Sequence, residues 1–184
     1  MGRPEWEVIG IVGGATTVYN PASKILTLAV PDVYESLPQK IHTAITWISE
    51  NRPGISGIFK TDDDIVVDPV LLAETVVANQ HRNYWGFAVK TTKAGSITDT
   101  QIQLRFTNKQ LQPTHQSANY CFGAGYWLSA TVLPLIVTAS TDYATSHLED
   151  VCTGYVLNKG KHWPVRIQLP WTEWPRTPKL LALK

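Results

Sequence analysis

Only two cysteines, Cys121 and Cys152, and one methionine occur among the 184 residues, so neither a disulfide scaffold nor a four-thiolate zinc site can be built. At most one bridge is possible, and two buried free thiols are the expected state. No apolar run approaches the roughly 18 residues of a membrane span, and the opening MGRPEWEVIG has no basic segment followed by an apolar one, so a soluble chain is expected. N-x-S/T acceptor sites are absent as well, which favours the cytoplasm, with the Golgi lumen as the alternative if an anchor lies outside these residues. An excess of one charge is missing too. Lys and Arg number 16 against 15 Asp and Glu, a balance that gives no support to a polyanion-binding surface, so nucleic acid is not an expected partner. What the chain has in quantity is apolar residues, 43% of the total, with seven Trp and seven Tyr. That is enough for one domain over residues 1–184, and the amphipathic rings suit ligand pockets.

Strand and helix signals alternate along the chain. Glu7 to Val12 is a short apolar run delivered into Gly13-Gly14, and Ile25 to Val30 is a second strand stopped by Pro31. Ser36 and Gln39 have capping-box spacing, and Leu37, Ile41, Ala44, Ile45 and Ile48 repeat at helical intervals, which predicts a helix over 37–50. Ile55 to Lys60 is the next strand, and Asp68-Pro69 pairs an N-cap with a first-turn proline to start a helix through about Val77. A β-rich stretch follows over roughly Tyr84 to Leu111, with edge strands or a flap expected over 85–90 and 102–106. Tyr120 to Gly125 reads as a tight glycine turn leading into a helix over 126–138. Glu149-Asp150 opens a last helix, closed at Lys159-Gly160. The tail, with Trp163, Trp171 and Trp174 among its prolines, reads as an extended strap. The pattern predicts an α/β sandwich with a largely parallel sheet.

The acidic run Asp62-Asp63-Asp64 is the most informative feature, because crowded like charges need a cation, a turn's donors or bulk water around them. It follows an apolar strand directly, and ligands of open α/β sheets sit at such strand ends. If the segment is extended, Asp62 and Asp64 point the same way and offer two oxygens to a hard divalent ion. Solvated turn acids are the other reading. Glu149 and Asp150 sit at a helix start, where dipole stabilisation alone accounts for them. In company with an ion site, the pair can instead hold a base for a hydroxyl proton.

The segments VPDVYESLPQKIHTAITWI, KTDDDIVVDP, YCFGAGYWLS and HLEDVCTGYVL together resemble the inverting glycosyltransferases of the β-1,3-galactosyltransferase and fringe family, whose motifs come in this order. The resemblance covers about residues 25–157, and small soluble relatives of this kind also occur in large DNA viruses. It implies the GT-A fold, a nucleotide-diphospho-sugar transferase architecture with a three-layer α/β/α sandwich and a mainly parallel mixed sheet. It also implies a UDP-sugar donor held with Mn²⁺ or Mg²⁺, and transfer of a hexose to a hydroxyl of a glycan or glycoconjugate. By the same resemblance Asp64 matches the metal-binding acid and Asp62 the position facing ribose or the metal, with Asp63 between them. Asp32, Tyr34 and Lys40 match the segment flanking the nucleotide, Gly123, Ala124 and Gly125 the turn lining donor sugar and acceptor, and Asp150 the general base with Glu149 beside it. A histidine completes the metal shell in relatives, and His162, the only one after Asp150, is the candidate by ligand type. Val12 and Gly13, with Gly14, are expected at the base from their strand-end position.

Trp85, Trp127, Trp163 and Trp174 are candidates for stacking on a sugar or base, against the commoner use of Trp as core filling. A rival reading is a nucleotide-sugar or glycan-binding module that holds its metal for structure only. A nucleotidyltransferase would need a basic glycine-rich triphosphate loop, and Gly13-Gly14 has no basic neighbours.

Overall fold

The computed structural model describes residues 6–89, 118–169 and 171–173. The chain opens with β1 (Gly10–Gly13), β2 (Val18–Asn20) and β3 (Ile25–Leu28), a small sheet in which β3 lies parallel to β1 and antiparallel to β2. A 3-10 turn over Tyr34–Ser36 enters α1 (Leu37–Asn51). Then come β4 (Gly57–Thr61), β5 (Ile65–Val67), α2 (Pro69–Ala78) and β6 (Tyr84–Val89). After residue 118 the elements are β7 (Tyr120–Ser129), α3 (Leu133–Val137), α4 (Ser140–Thr145), α5 (Glu149–Lys159), β8 (Val165–Arg166) and β9 (Trp171–Glu173).

The central sheet runs β4-β7-β6-β8, and its two faces follow from side-chain alternation. Ile58, Tyr84, Tyr126 and Leu128 point to one face, where they pack with Ile41 and Ile45 of α1, Ile136 of α3, Tyr143 of α4 and Val156 and Leu157 of α5. Phe59, Trp85 and Trp127 point to the other, against Leu72 and Val76 of α2 and Ile167 and Leu169 of the tail. The result is a mixed α/β domain whose sheet is covered on both sides.

Several expectations change. Four of the six strand pairings among the described residues are antiparallel, so the sheets are mixed rather than mainly parallel. The helix expected over 126–138 is instead the second half of a ten-residue strand, and helix begins only after a 3-10 turn over Ala130–Val132. Short apolar runs suit either structure, and here the period of two wins because Tyr126 and Leu128 fill one core while Trp127 fills the other. Pro134 stands in the first turn of α3, where its missing N–H costs no helical hydrogen bond. Ser36 makes no capping bond, since the 3-10 turn brings the chain into α1 with Ser36 already at φ −91° and ψ 2°. Asp68 does cap α2, accepting from Val70 N–H and Leu71 N–H at 2.9 and 3.0 Å. Both cysteines are free and buried. The strand expected over 102–106 and Trp174 lie outside the described residues. No helix among the described residues is long and apolar enough to cross a membrane.

A charged latch ties the N-terminal strand region to the end of α1. Arg52 donates to both Glu7 oxygens at 2.7 and 3.1 Å, Tyr19 Oη donates to Glu7 Oε1 at 2.7 Å, and the guanidinium lies 4.9 and 5.0 Å from the ring centres of Tyr19 and Trp47. The Arg52 and Tyr19 hydrogen bonds hold the Glu7 carboxyl down at about 2. A depressed carboxylate stabilises the fold above its unfolded pKa, and this contribution disappears as pH falls from about 4.5 to about 2. Urea unfolding across that window is expected to show a flatter pH dependence for Glu7→Gln than for the wild type; parallel curves would remove the latch from the stability of the fold.

Candidate active site

The site is built where β4 ends beside β7. Thr61 pairs with Gly125 and Lys60 with Tyr126, so the acid run leaves the sheet alongside the glycine segment of β7. Thr61 Oγ1 donates to Ala124 O at 2.9 Å, and Ile65 N–H donates back to Asp62 O at 3.3 Å, closing a turn over Asp62–Ile65. The three aspartates therefore lie in a turn and not in the extended segment the sequence suggests. Asp63 and Asp64 are exposed, and the Asp62 side chain is 39% exposed.

Opposite Phe87, β7 bulges. Ala88 pairs with Cys121 and Gly86 with Tyr126, so one residue of β6 faces four of β7, Phe122 to Gly125. The bulge turns the Gly123 peptide toward the start of α5. A Cβ on Gly123 would stand 3.1 Å from Glu149 Oε1 and 3.4 Å from Asp150 Oδ2, so only glycine brings its backbone this close without moving a carboxylate.

Asp150 is half-buried and accepts two backbone N–H groups, from Gly123 at 3.0 Å on Oδ2 and from Val151 at 2.8 Å on Oδ1. Burial, followed by the charge of Glu149, pushes its carboxyl up to about 7, against the opposing pull of these N–H groups and of Lys60. Glu149 is 4% exposed and spoken for at both oxygens, by Lys60 Nζ at 2.8 Å and by Tyr126 Oη, which donates at 2.7 Å. It is a buried counter-charge to Lys60, with neither oxygen left without a partner. The lysine is what the motif reading missed. Lys60 is 8% exposed and its ammonium reaches Asp62, the Gly123 carbonyl and Glu149 together. Burial alone would favour the neutral amine, but Glu149 and Asp62 outweigh it and keep Lys60 charged. A signal was available in the strand GIFKT, where alternation sends Lys60 to the same face as Ile58, and a lysine on a core face must find an anion.

A second group forms at the end of β1. Asp32 accepts from Gly13 N–H at 3.1 Å and from the Lys40 ammonium, and these bonds lower its pKa. A Cβ on Gly13 would come within 2.7 Å of Asp32 backbone atoms. Val12 lies just before it in β1, and Tyr34 is half-exposed in the 3-10 turn that follows Asp32. Lys40 lies on α1, which packs against α5.

The structure does not bring His162 to the acids. It follows the C-terminal end of α5, with its own N–H on Leu157 O at 2.9 Å and its ring Nδ1 paired to Asn83 at 3.2 Å. Asp150 stands at the other end of that helix, which at 1.5 Å per residue is about 16 Å long. Trp85 and Trp127 stack on one another at 5.9 Å inside the core and present no face to a sugar, whereas Trp163 is exposed. Among the described residues no group of three or more His, Cys, Asp or Glu is arranged to hold a metal ion. The donor type fits a hard cation: Asp62 and Asp64 are carboxylates of one turn, Asp64 is exposed, Asp62 has one oxygen on Lys60, and Mg²⁺-like ions commonly take only one or two carboxylates alongside substrate phosphates.

A family model described as Galactosyltransferase matches residues 22–165, a span that contains the acid turn, the β7 bulge and the start of α5. The chain belongs to the galactosyltransferase family. Beta-1,3-galactosyltransferase 2 of Homo sapiens is 25% identical over 138 residues, which cover 73% of this chain and 32% of that protein. Beta-1,3-galactosyltransferase 4 of Mus musculus is 24% identical over 190 residues, covering 87% and 50%. The human UDP-GalNAc:beta-1,3-N-acetylgalactosaminyltransferase 1 is 27% identical over 143 residues, covering 76% and 41%. This galactosyltransferase-family chain thus spans a third to a half of the length of these relatives. Val12, Gly13, Gly14 and Trp174 fall outside the matched span; the other candidate residues lie within it.

Proposed function

We propose that the domain is a metal-dependent inverting glycosyltransferase of the GT-A fold that transfers a hexose from a UDP-sugar to a hydroxyl of a glycan or glycoconjugate. The observation that carries this reading is Asp150, a half-buried carboxylate aimed by two backbone N–H groups, one of them from the glycine bulge that adjoins the acid turn. Its pKa of about 7 suits a group that must take a proton near neutral pH. In this reading Asp150 accepts the proton of the acceptor hydroxyl as the oxygen attacks the anomeric carbon from the face opposite the nucleotide, which inverts that centre. Asp64, with Asp62 beside it, would hold the divalent cation, and a cation held there would supply the positive charge that a leaving UDP needs. Asp32, Lys40 and Gly13 flank the nucleotide. Gly123, Ala124 and Gly125 line the donor sugar and the acceptor, and Gly123 brings bare backbone up to Glu149 and Asp150. The name of one relative points to UDP-GalNAc as a donor, and the family points to UDP-galactose, so both belong in the first panel.

The test is turnover of UDP-sugars with Mn²⁺ and a mixed glycan acceptor. Asp64→Ala is expected to lose turnover at least about 100-fold and to bind UDP with an affinity that no longer responds to Mn²⁺. Mn²⁺-dependent UDP binding without any transfer product, across a broad acceptor panel, would favour the non-catalytic module instead.

A further inference from the structure

We propose that Lys60 is the positioning residue of this site: its ammonium clamps the Gly123 carbonyl to Glu149, and so fixes the peptide whose N–H carries the Asp150 carboxylate. Both ends of the clamp are hydrogen-bonded. Lys60 Nζ donates to Gly123 O on one side of the residue, and Gly123 N–H donates to Asp150 Oδ2 at 3.0 Å on the other. The far side of the ammonium is anchored at Glu149 Oε1, 2.8 Å away, and Glu149 is itself held by Tyr126 Oη at 2.7 Å. Lys60 and Tyr126 are register partners on β4 and β7, and they meet Glu149 from the sheet while Asp150 sits at the next position of α5. One buried lysine therefore ties three elements, and through Asp62 it also reaches the acid turn. A peptide at a strand bulge has lost its ladder partner and needs such an external hold, because free rotation would carry its N–H away from the base.

The same ammonium sets the electrostatics. Asp150 faces Glu149, which raises its pKa, and Lys60, which lowers it. The other titratable groups coupled to it, Tyr84, Tyr120 and Cys121, are pushed upward by burial, Tyr120 and Cys121 to about 12, and remain neutral throughout the working range. Lys60 and Glu149 thus form a buried pair whose charges oppose one another at Asp150, with Glu149 the stronger influence. Removing one partner uncovers the other, and removing both takes away the two opposing charges together with the clamp.

This difference provides the test, and it does not require that the protein transfer sugar. The carboxyl ¹³C shift of Asp150 against pH reads its charge environment, and exchange of the Gly123 amide proton reads the clamp. Lys60→Met is expected to move the Asp150 midpoint upward by about one pH unit, and Glu149→Gln to move it downward by a similar amount. Lys60→Met/Glu149→Gln, which leaves no unpaired buried charge and so keeps the experiment open if Lys60→Met folds poorly, returns the midpoint toward that of the wild type. In the double variant Gly123 exchange stays at least about ten-fold faster than in the wild type, because the carbonyl has lost its donor. A double-variant Asp150 midpoint no higher than that of Glu149→Gln, or Gly123 exchange as slow there as in the wild type, would overturn the assignment. The inference rests on the proposed transferase only for its kinetic consequence. If the wild type turns over donor, the double variant shows kcat reduced with the acceptor KM nearly unchanged, and with a pH limb above that of Glu149→Gln; a domain without turnover leaves both spectroscopic results standing.

Discussion

Asp150→Asn is expected to lower kcat about 10²- to 10⁴-fold, the range that general-base catalysis contributes, and to abolish the rise of rate with pH near 7. The sign follows from the raised carboxyl. Burial and Glu149 place its pKa at about 7, so below that pH the group is protonated and cannot accept the acceptor's proton, and above it the base is ready. An amide has no such transition, so the residual rate is flat. The substitution also has a structural cost that belongs in the experiment. Asp150 takes one N–H on each oxygen, and an Asn must turn its own NH₂ toward one of them, leaving that donor unmet at about 1–3 kcal/mol. Melting temperature and calorimetry with UDP and Mn²⁺ are therefore measured alongside. Retained UDP binding with lost turnover identifies the base, whereas full activity in Asp150→Asn would remove Asp150 from the chemistry.

Gly154→Ala is expected to destabilise the domain and to remove activity along with it, although alanine is the better helix former by about 1 kcal/mol. Gly154 lies in α5 against the start of β7, and a Cβ there would stand 2.5 Å from Asn119 O, 2.5 Å from Tyr120 Cβ and 2.9 Å from Tyr120 Cα. These are backbone atoms and a Cβ, which cannot swing aside, so the helix itself must back away from the strand. Overpacking of this kind costs about 1–3 kcal/mol and occasionally more, which exceeds the gain in propensity. Because α5 carries Glu149 and Asp150, its displacement also lengthens the contact to Gly123 N–H. Denaturant titration reads the first effect, and the rate per folded molecule reads the second. A variant as stable and as active as the wild type would mean that α5 does not need this close seat on β7.

These two positions also mark where the chain is easy to read and where it is not. The α1 stripe of Ile41, Ala44 and Ile45 and the Asp68-Pro69 start of α2 are legible because both signals are local: a helical period and a cap act within a few residues. The opening of α5 at Glu149 and its end near Gly160 are legible for the same reason. The β7 strand was harder, since an apolar run between two cores has no period of its own until both cores exist. The acid turn misled by another route. Alternation holds only while the segment is extended, and the Ile65 N–H to Asp62 O bond folds it back.

By itself the sequence determined the order of most elements, the absence of a disulfide framework, and the acidic and glycine residues around which a transferase site can form, because residue type and spacing act locally. Only the tertiary structure decided which of them meet. It turned the aspartates into a loop, set His162 at the far end of α5, stacked Trp85 and Trp127 inside the core, and placed Lys60 between Glu149, Asp62 and Gly123. A buried charge finds its partners across strands and helices distant in sequence, and that pairing is fixed by the packing of the whole domain.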